Sequence, residues 1–321
     1  MLNLGHKALS LGRELIEKGA WFFAPLSWIW GAYVFIRNKL YDWNWLGSRS
    51  VPCTVVSIGN IVAGGTGKTP FVQMMGDAFS IRKVAILSRG FGVVPDEAML
   101  LQRRLPHAKI YVGKNRASLA EQAAKDGAEI ILLDDGFQHR KLHRDFDIVL
   151  IREEDPFGKG HYLPWGFLRD SPKRLDKAEA VFSNGRDFRH QVSRVLDEEE
   201  REVSIDGWKV GLFCGIANPR SFKKSVSSLG ATIVAEWFLA DHEPARPDLL
   251  ERFANRCKAL GAKALITTEK DFIKRPICSL PIVFIEIKIE WMEGKRKWEK
   301  LIAKINQEID NRYTYDRSNK N

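Results

Sequence analysis

Short apolar runs rich in β-branched residues recur along the chain from Val51 onward, and stretches of helical periodicity separate them. This alternation predicts an α/β fold built on a largely parallel sheet. The first expected strands are Thr54–Ile58, Lys83–Leu87, Glu129–Leu133, Asp147–Ile151 and Ala180–Ser183, with a helix from Lys68 to about Phe79 behind the first of them. A second set follows at Val210–Cys214, Thr232–Trp237, Ala264–Thr268 and Ile282–Ile287. Between the sets the chain turns polar and charged, with the run Asp197-Glu198-Glu199-Glu200-Arg201, which reads as a linker or small hairpin between domains.

The N-terminus has a different pattern. Trp21 to Ile36 read WFFAPLSWIWGAYVFI, with Arg13 and Lys18 before the run and Arg37 and Lys39 after it. A spanning helix needs about 20 apolar residues, and this run is shorter and contains Pro25. No small-residue cleavage site follows, so a signal peptide is not expected. Tryptophans at 21, 28, 30, 43 and 45 favour the headgroup region, and the flanking cations favour anionic lipid. The segment reads as a monotopic helix lying in or dipping into one leaflet. The alternative is a buried N-terminal helix of the soluble core.

With 321 residues the chain has room for two domains. A hydrophobic share of 45% and a charged share of 28% are those of an ordinary globular protein; only residues 310–321, nearly free of apolar side chains, read as a polar tail. The net charge of +10 implies an anionic partner, either a phosphorylated substrate or an anionic membrane surface. No arginine-rich arm or RNP-like strand is present, so nucleic acid is not expected. The four cysteines are scattered with no CxxC pair, which argues against a zinc site or a disulfide framework.

Gly64-Gly65-Thr66-Gly67-Lys68-Thr69 lies between the first expected strand and its helix, the context a P-loop requires. Backbone N–H groups there curl around a nucleoside triphosphate such as ATP, Lys68 reaches the terminal phosphates and Thr69 offers its hydroxyl to Mg²⁺. The general pattern GxxxxGK[ST] has glycine where this chain has Val62, so Gly64 and Gly65 are expected to supply the flexibility. A P-loop NTPase-like three-layer α/β/α domain is expected over 49–187. It follows the membrane-associated helical segment 1–48. After it come a linker or hairpin at 188–208, a second, smaller α/β domain at 209–309 and the tail at 310–321.

Ile130-Ile131-Leu132-Leu133-Asp134-Asp135 fits the strand-end carboxylates that hold or orient Mg²⁺ in such enzymes. Adjacent strand residues point to opposite faces, so one of the two faces the metal. Asp134 is the preferred ligand and Asp135 its supporting neighbour, with the reverse order left open. The loop that follows, Gly136 to Asp145, carries His139, Arg140, Lys141, His143 and Arg144, and it could neutralise transferring phosphate or hold an anionic substrate. Arg89, after another strand, is placed to join the same site.

Taken together, Gly59-Asn60 ahead of GGTGKTP, then SRGFG, DDGFQHRKLHRD, LPWGFLRD, GIANP and TTEKD resemble the tetraacyldisaccharide 4'-kinase (lipid A 4'-kinase) family. The resemblance runs from about residue 51 to residue 275 and extends to the hydrophobic N-terminus. It implies transfer of the ATP γ-phosphate to the 4'-hydroxyl of a tetraacylated glucosamine disaccharide 1-phosphate. The product would be the bis-phosphorylated lipid A precursor. It further implies two α/β/α domains joined by a two-stranded linker.

By the same resemblance, Asp96 activates the acceptor hydroxyl and His242, in the second domain, pairs with it. Arg169 lies near nucleotide phosphate and Asp170 near the metal. Lys68 and Asp135 complete the expected catalytic set, while Arg89, Glu97, His139, Arg140 and His143 are expected to meet substrate. Thr267-Thr268-Glu269-Lys270-Asp271 either meets the nucleotide base or ribose or caps a helix. LPWGFLRD departs from the family's usual LPAGPLRE at Trp165, Phe167 and Asp170. A monomer on the cytoplasmic face of the bacterial inner membrane, peripheral or monotopic, is expected. The competing reading is a membrane-docked regulatory or transport P-loop ATPase; a soluble sugar kinase is disfavoured by the apolar N-terminus.

Overall fold

The computed structural model describes residue 16 and residues 21–90, 96–216, 218–240, 243–274 and 276–318. Its strands are β1 (Thr54–Gly59), β2 (Val84–Ser88), β3 (Lys109–Val112), β4 (Ile130–Asp134), β5 (Phe146–Arg152), β6 (Ala180–Asn184), β7 (Phe188–Leu196), β8 (Lys209–Cys214), β9 (Thr232–Phe238), β10 (Ala264–Thr268) and β11 (Ile282–Trp291). Its α-helices are α1 (Ala24–Asp42), α2 (Lys68–Ala78), α3 (Asp96–Arg104), α4 (Arg116–Lys125), α5 (Pro219–Ser228), α6 (Pro247–Ala259), α7 (Glu269–Phe272) and α8 (Lys295–Ser318). The described residues form two compact units, one comprising those of Gly12–Arg189 with Ile289–Ser318, the other those of His190–Lys288.

In the larger unit the strands run in the order β3-β2-β4-β1-β5-β6. All of these pairs are parallel, with Val56 beside Leu132 on one side and Phe146 on the other. Alternate side chains of β1, β2 and β4 face opposite layers, as the pleat requires. Val56, Ile58, Val84, Ile86, Ile130 and Leu132 pack with Phe71, Met75 and Phe79 of and beside α2. Val55, Ala85, Leu87, Ile131 and Leu133 pack with Ala120 and Ala123 of α4. Every residue of β1, β2 and β4 is buried, because helices cover both faces of the sheet.

The C-terminal boundary differs from the sequence expectation. Residues 289–309 were assigned to the second domain and 310–321 to a polar tail, yet Ile289–Ser318 belongs to the larger unit and α8 runs into the tail as far as Ser318. The reason is a stripe at helical spacing: Leu301, Ile305 and Ile309 are buried beside Trp298 and Ile302 in the α2-side core. Arg312 then anchors the helix by donating to the Cys53 carbonyl at 3.0 Å and pairing with Asp145. The polar composition after Asp310 had hidden a helix whose apolar face lies mostly before it.

The stretch 188–208, read as a linker, begins with nine residues of strand β7. Its exposed and half-buried positions alternate over Arg189–Ser193, a one-sided pattern with too few apolar residues to stand out. The chain leaves the larger unit within β7, after Arg189, and returns to it within β11, at Ile289. The smaller unit has the order β11-β10-β8-β9, all parallel pairs. Phe213, Phe253 and Phe284 lie in the core on one face, while Val210, Leu212, Phe222 and Ile266 lie on the other.

Candidate active site

The glycine-rich loop expected to bind phosphate leaves β1 at Gly59 and enters α2 at Lys68. Gly67, at the helix N-cap, has φ 87°, and Gly64 has φ 115°; both lie in the left-handed region open to glycine. Val62 occupies the position of the missing first glycine for a packing reason. It is fully buried, forms an antiparallel bridge with Leu168 and joins a core with Ile61, Phe137 and Val149. The loop turns at Gly64 instead.

Asn60 ties this loop together. Its Nδ2 donates to the Thr66 hydroxyl at 3.0 Å and to the Gly64 carbonyl at 3.4 Å, and its own carbonyl accepts from Gln138 Nε2 at 2.7 Å. Arg169 also reaches the Asn60 Oδ1, at 3.4 Å. The segment bearing Arg169 runs along the loop, with Ala63 N–H donating to the Phe167 carbonyl and Arg169 N–H to the Ile61 carbonyl. In that segment Trp165 stacks on His161, with ring centroids 3.7 Å apart.

Beyond β4, Asp135 has φ 52°, which turns the chain so that Asp134 and Asp135 no longer alternate as strand residues do. Arg169 holds both carboxylate oxygens of Asp135, and Lys68 Nζ lies 3.5 Å from one of them. Arg116, buried at the start of α4, donates to the Asp135 carbonyl at 2.9 Å. Burial alone would raise the Asp135 pKa, but Lys68, Arg169 and Arg116 outweigh it and hold the carboxyl down at about 2.

Asp134 goes the other way. Burial raises it, and the neighbouring Glu97 and Asp135 charges raise it further, to about 7 against the pull of Lys68 and Arg116. Glu97, expected to meet substrate, therefore belongs to an acidic group with Asp134. Asp96 is buried in the first turn of α3, where one of its oxygens accepts the Glu97 N–H at 3.0 Å. His242 lies outside the described residues, so its expected pairing with Asp96 does as well.

The basic loop divides by role. His139 is neutral near pH 7: burial, then Arg116, Arg144, Lys141 and Arg89, lower it to about 4. Its Nε2 is buried with no hydrogen-bond partner among the described residues. His143 is exposed, 3.6 Å from Asp145. Arg89 is exposed at the end of β2, and its charge is felt at both Arg116 and His139.

Arg140 corrects its sequence assignment. Rather than facing a substrate, it donates to the Asn38 carbonyl at 3.0 Å and to Asp42 at 2.9 Å, capping the end of α1. Asp170 corrects its own. It is fully buried, with Oδ1 accepting from Asn38 and the Ser171 N–H, and Oδ2 from Arg174 with Arg37 3.6 Å away. Both oxygens are committed to protein donors, so it is not assigned to the metal. In the smaller unit Thr268 caps α7, accepting from the Asp271 N–H, so the helix-cap alternative describes TTEKD.

Two contributors were missed in the sequence. Asn60 follows directly on β1, beside a recognisable motif, and could have been suspected. Arg116 carries no local signal, because only the fold brings the start of α4 beneath the end of β4. No three acidic, histidine or cysteine side chains among the described residues form a metal site by themselves.

A model of the tetraacyldisaccharide-1-P 4'-kinase family matches residues 19–307. The tetraacyldisaccharide 4'-kinase of Chlamydia trachomatis serovar D is 33% identical over 304 residues, covering 81% of each chain. That of Anaeromyxobacter dehalogenans strain 2CP-C is 33% identical over 290 residues, 74% of this chain and 77% of the other. A crystal structure of LpxK from Aquifex aeolicus in complex with ATP superposes with a TM-score of 0.71 at 27% identity, covering 88% of this chain and 98% of that one. The chain belongs to the tetraacyldisaccharide-1-P 4'-kinase family.

Proposed function

We propose that the loop Gly64–Thr69, with Asp134, Asp135 and Arg169, is the phosphoryl-transfer site of an ATP-dependent tetraacyldisaccharide 4'-kinase acting in lipid A biosynthesis. The observation that carries this reading is the pairing of Lys68 and Arg169 on Asp135 at the mouth of the phosphate loop. Two cations held at one carboxylate are poised to turn toward the β- and γ-phosphates of ATP, where charge develops during transfer. The N-terminus of α2 adds its partial positive charge at the same place.

Mg²⁺ fits the residues present: Thr69 and Asp134 would hold it, and buried Asp134 has Glu97 and Asp135 beside it, negative charge that a cation would offset. When bound, it neutralises phosphate charge. Asp135 orients Lys68 and Arg169. Asp96, or Glu97 beside it, accepts the proton of the 4'-hydroxyl. Neutral His139, exposed His143 and Arg89 line the side on which an anionic acceptor would approach. A P-loop NTPase-like α/β/α domain with a second, smaller α/β domain, acting as a monomer, is the architecture proposed.

No helix among the described residues is long and apolar enough to cross a membrane. On α1 and on either side of it, Trp21, Leu26, Trp28, Ile29, Tyr33, Phe35, Ile36, Trp43 and Trp45 are exposed. So large an exposed apolar surface fits peripheral insertion into the cytoplasmic leaflet of the inner membrane, where an acylated acceptor resides. The alternative of a buried N-terminal helix accounts only for the opposite face of α1.

Incubation with ATP labelled at the γ-phosphate and the tetraacyldisaccharide 1-phosphate in mild detergent should move label into lipid. Label recovered solely as free phosphate would favour the regulatory or transport ATPase instead.

A further inference from the structure

The inner face of α1 is built for docking. Ser27, Val34 and Asn38 are buried on it, and Gly31 lies between them at helical spacing. Ser27 donates to the Tyr162 carbonyl at 2.7 Å. A methyl group at Gly31 would come within 2.8 Å of the Tyr162 ring, so glycine is needed for the helix to lie this close. A helix that served only to hold the enzyme on a bilayer would need none of this polar detail.

The contacts continue from α1 into the phosphoryl-transfer site. Asn38 Nδ2 donates to Asp170 Oδ1 at 2.8 Å, inside the protein. Arg174 donates to the other Asp170 oxygen and to the Phe137 carbonyl at 3.3 Å, and its guanidinium lies 4.1 Å from the centre of the Phe137 ring. Phe137 is two residues from Asp135. Asp170 is the neighbour of Arg169, which grips Asp135. A second connection returns from the same loop: Arg140 donates to the Asn38 carbonyl and to Asp42, and Lys177 reaches Asp42 at 2.8 Å. Asn38 thus touches both segments that frame the Lys68–Asp135–Arg169 group.

From this geometry we infer that α1 is a working part of the phosphoryl-transfer site, with Asn38 and Asp170 as positioning residues that set the placement of Arg169 and the Asp135 loop. Removing the Asn38 amide leaves a buried carboxylate short of a donor, and its remaining partners must shift to satisfy it. The nearest of these partners, Arg174 and the backbone around Arg169, are the ones that shape the site. The inference rests on the assignment of Lys68, Asp135 and Arg169 to phosphoryl transfer.

The test uses the full chain in mixed micelles with Mg-ATP and the tetraacyldisaccharide 1-phosphate. Asn38→Leu and Asp170→Asn should each lower kcat tenfold or more while KM for the lipid and sedimentation with anionic vesicles stay within twofold. The double variant should fall no more than about threefold below the weaker single, because both act through one contact. If Asn38→Leu does not fold, Asn38→Ser withdraws the same donor and carries the same expectation. A kcat within twofold of the unsubstituted enzyme, a loss matched by lost vesicle binding, or fully additive singles would overturn the inference. A raised Mg²⁺ requirement in Asp170→Asn would also overturn it, by making Asp170 a metal ligand. Activity surviving in Lys68→Ala would instead remove the underlying site assignment.

Discussion

Arg169 closes on Asp135 through two parallel hydrogen bonds, 3.2 and 3.0 Å long, one to each carboxylate oxygen. The fork geometry fixes the guanidinium plane, and Lys68 approaches the same carboxylate from the phosphate loop at 3.5 Å. Asp135 therefore acts as a counter-charge that holds two cations apart and in place. Asp134, one residue earlier, faces the acidic side with Glu97. Neighbouring carboxylates thus sit in opposite electrostatic surroundings.

Arg169→Lys keeps the charge but loses the fork. A lysine cannot hold both oxygens of Asp135 and reach Asn60 as well, so kcat/KM for ATP should fall by a factor on the order of 10 to 100. Steady-state kinetics at saturating lipid would measure this; a change under threefold would show that charge alone suffices.

Asp134 makes a pH-dependent contribution in the nucleotide-free protein. Burial and the Glu97 and Asp135 charges push its folded pKa up to about 7, well above the ordinary carboxylate range. Its protonated form therefore suits the fold: the favourable term is complete below about pH 4 and is lost as pH rises through 7. Asp134→Asn should raise Tm at pH 8, by roughly 1–3 kcal/mol of stability, and change it little at pH 4. Thermal melts at the two pH values, without Mg²⁺ or ATP, would decide. An equal change at both would place the carboxylate in water rather than in the protein. For Asp135 the sign is reversed, because its lowered pKa stabilises the fold above about pH 4 and that benefit fades as pH falls toward 2.

Gly59 is the hinge of β1 and the phosphate loop. A Cβ there would lie 2.6 Å from Phe137 Cβ and 2.9 Å from the Phe137 backbone nitrogen, neither of which can swing aside. Gly59→Ala should cost about 1–3 kcal/mol of stability as overpacking and should lower kcat more than tenfold by displacing the loop that bears Asp135. Chemical denaturation and turnover would be measured on the same preparation. Full turnover with an unchanged midpoint would contradict the contact.

The outer face of α1 should carry membrane binding separately from docking. Trp28 and Ile29 are more than two-thirds exposed, at 68% and 67%. Replacing both by serine should weaken partitioning onto anionic vesicles by a factor on the order of 10 or more, since each buried large apolar side chain contributes roughly 1.5–3 kcal/mol. Sedimentation with vesicles reads this directly. Undiminished binding would move the membrane contact to another surface.

Most strands of the sheet, the glycine-rich loop before α2 and the carboxylates at the end of β4 were legible in the sequence, because each is local; β3, only four residues long, and the polar β7 were not. A strand buried on both faces must be a short run of apolar residues, and a phosphate loop must be a glycine turn between strand and helix. The apolar N-terminal run was equally plain. The destination of α8 was not, since a helix with a narrow apolar stripe shows only in three dimensions which core receives it. Nor were the partners of Asp170, Arg140 and Arg116. Their charges are visible in the sequence, but whether a charge faces substrate, metal or another part of the same chain depends on contacts between residues far apart along it. Asp170 and Asn38 are separated by 132 positions, and only the close approach of α1 at Gly31 brings them within 2.8 Å.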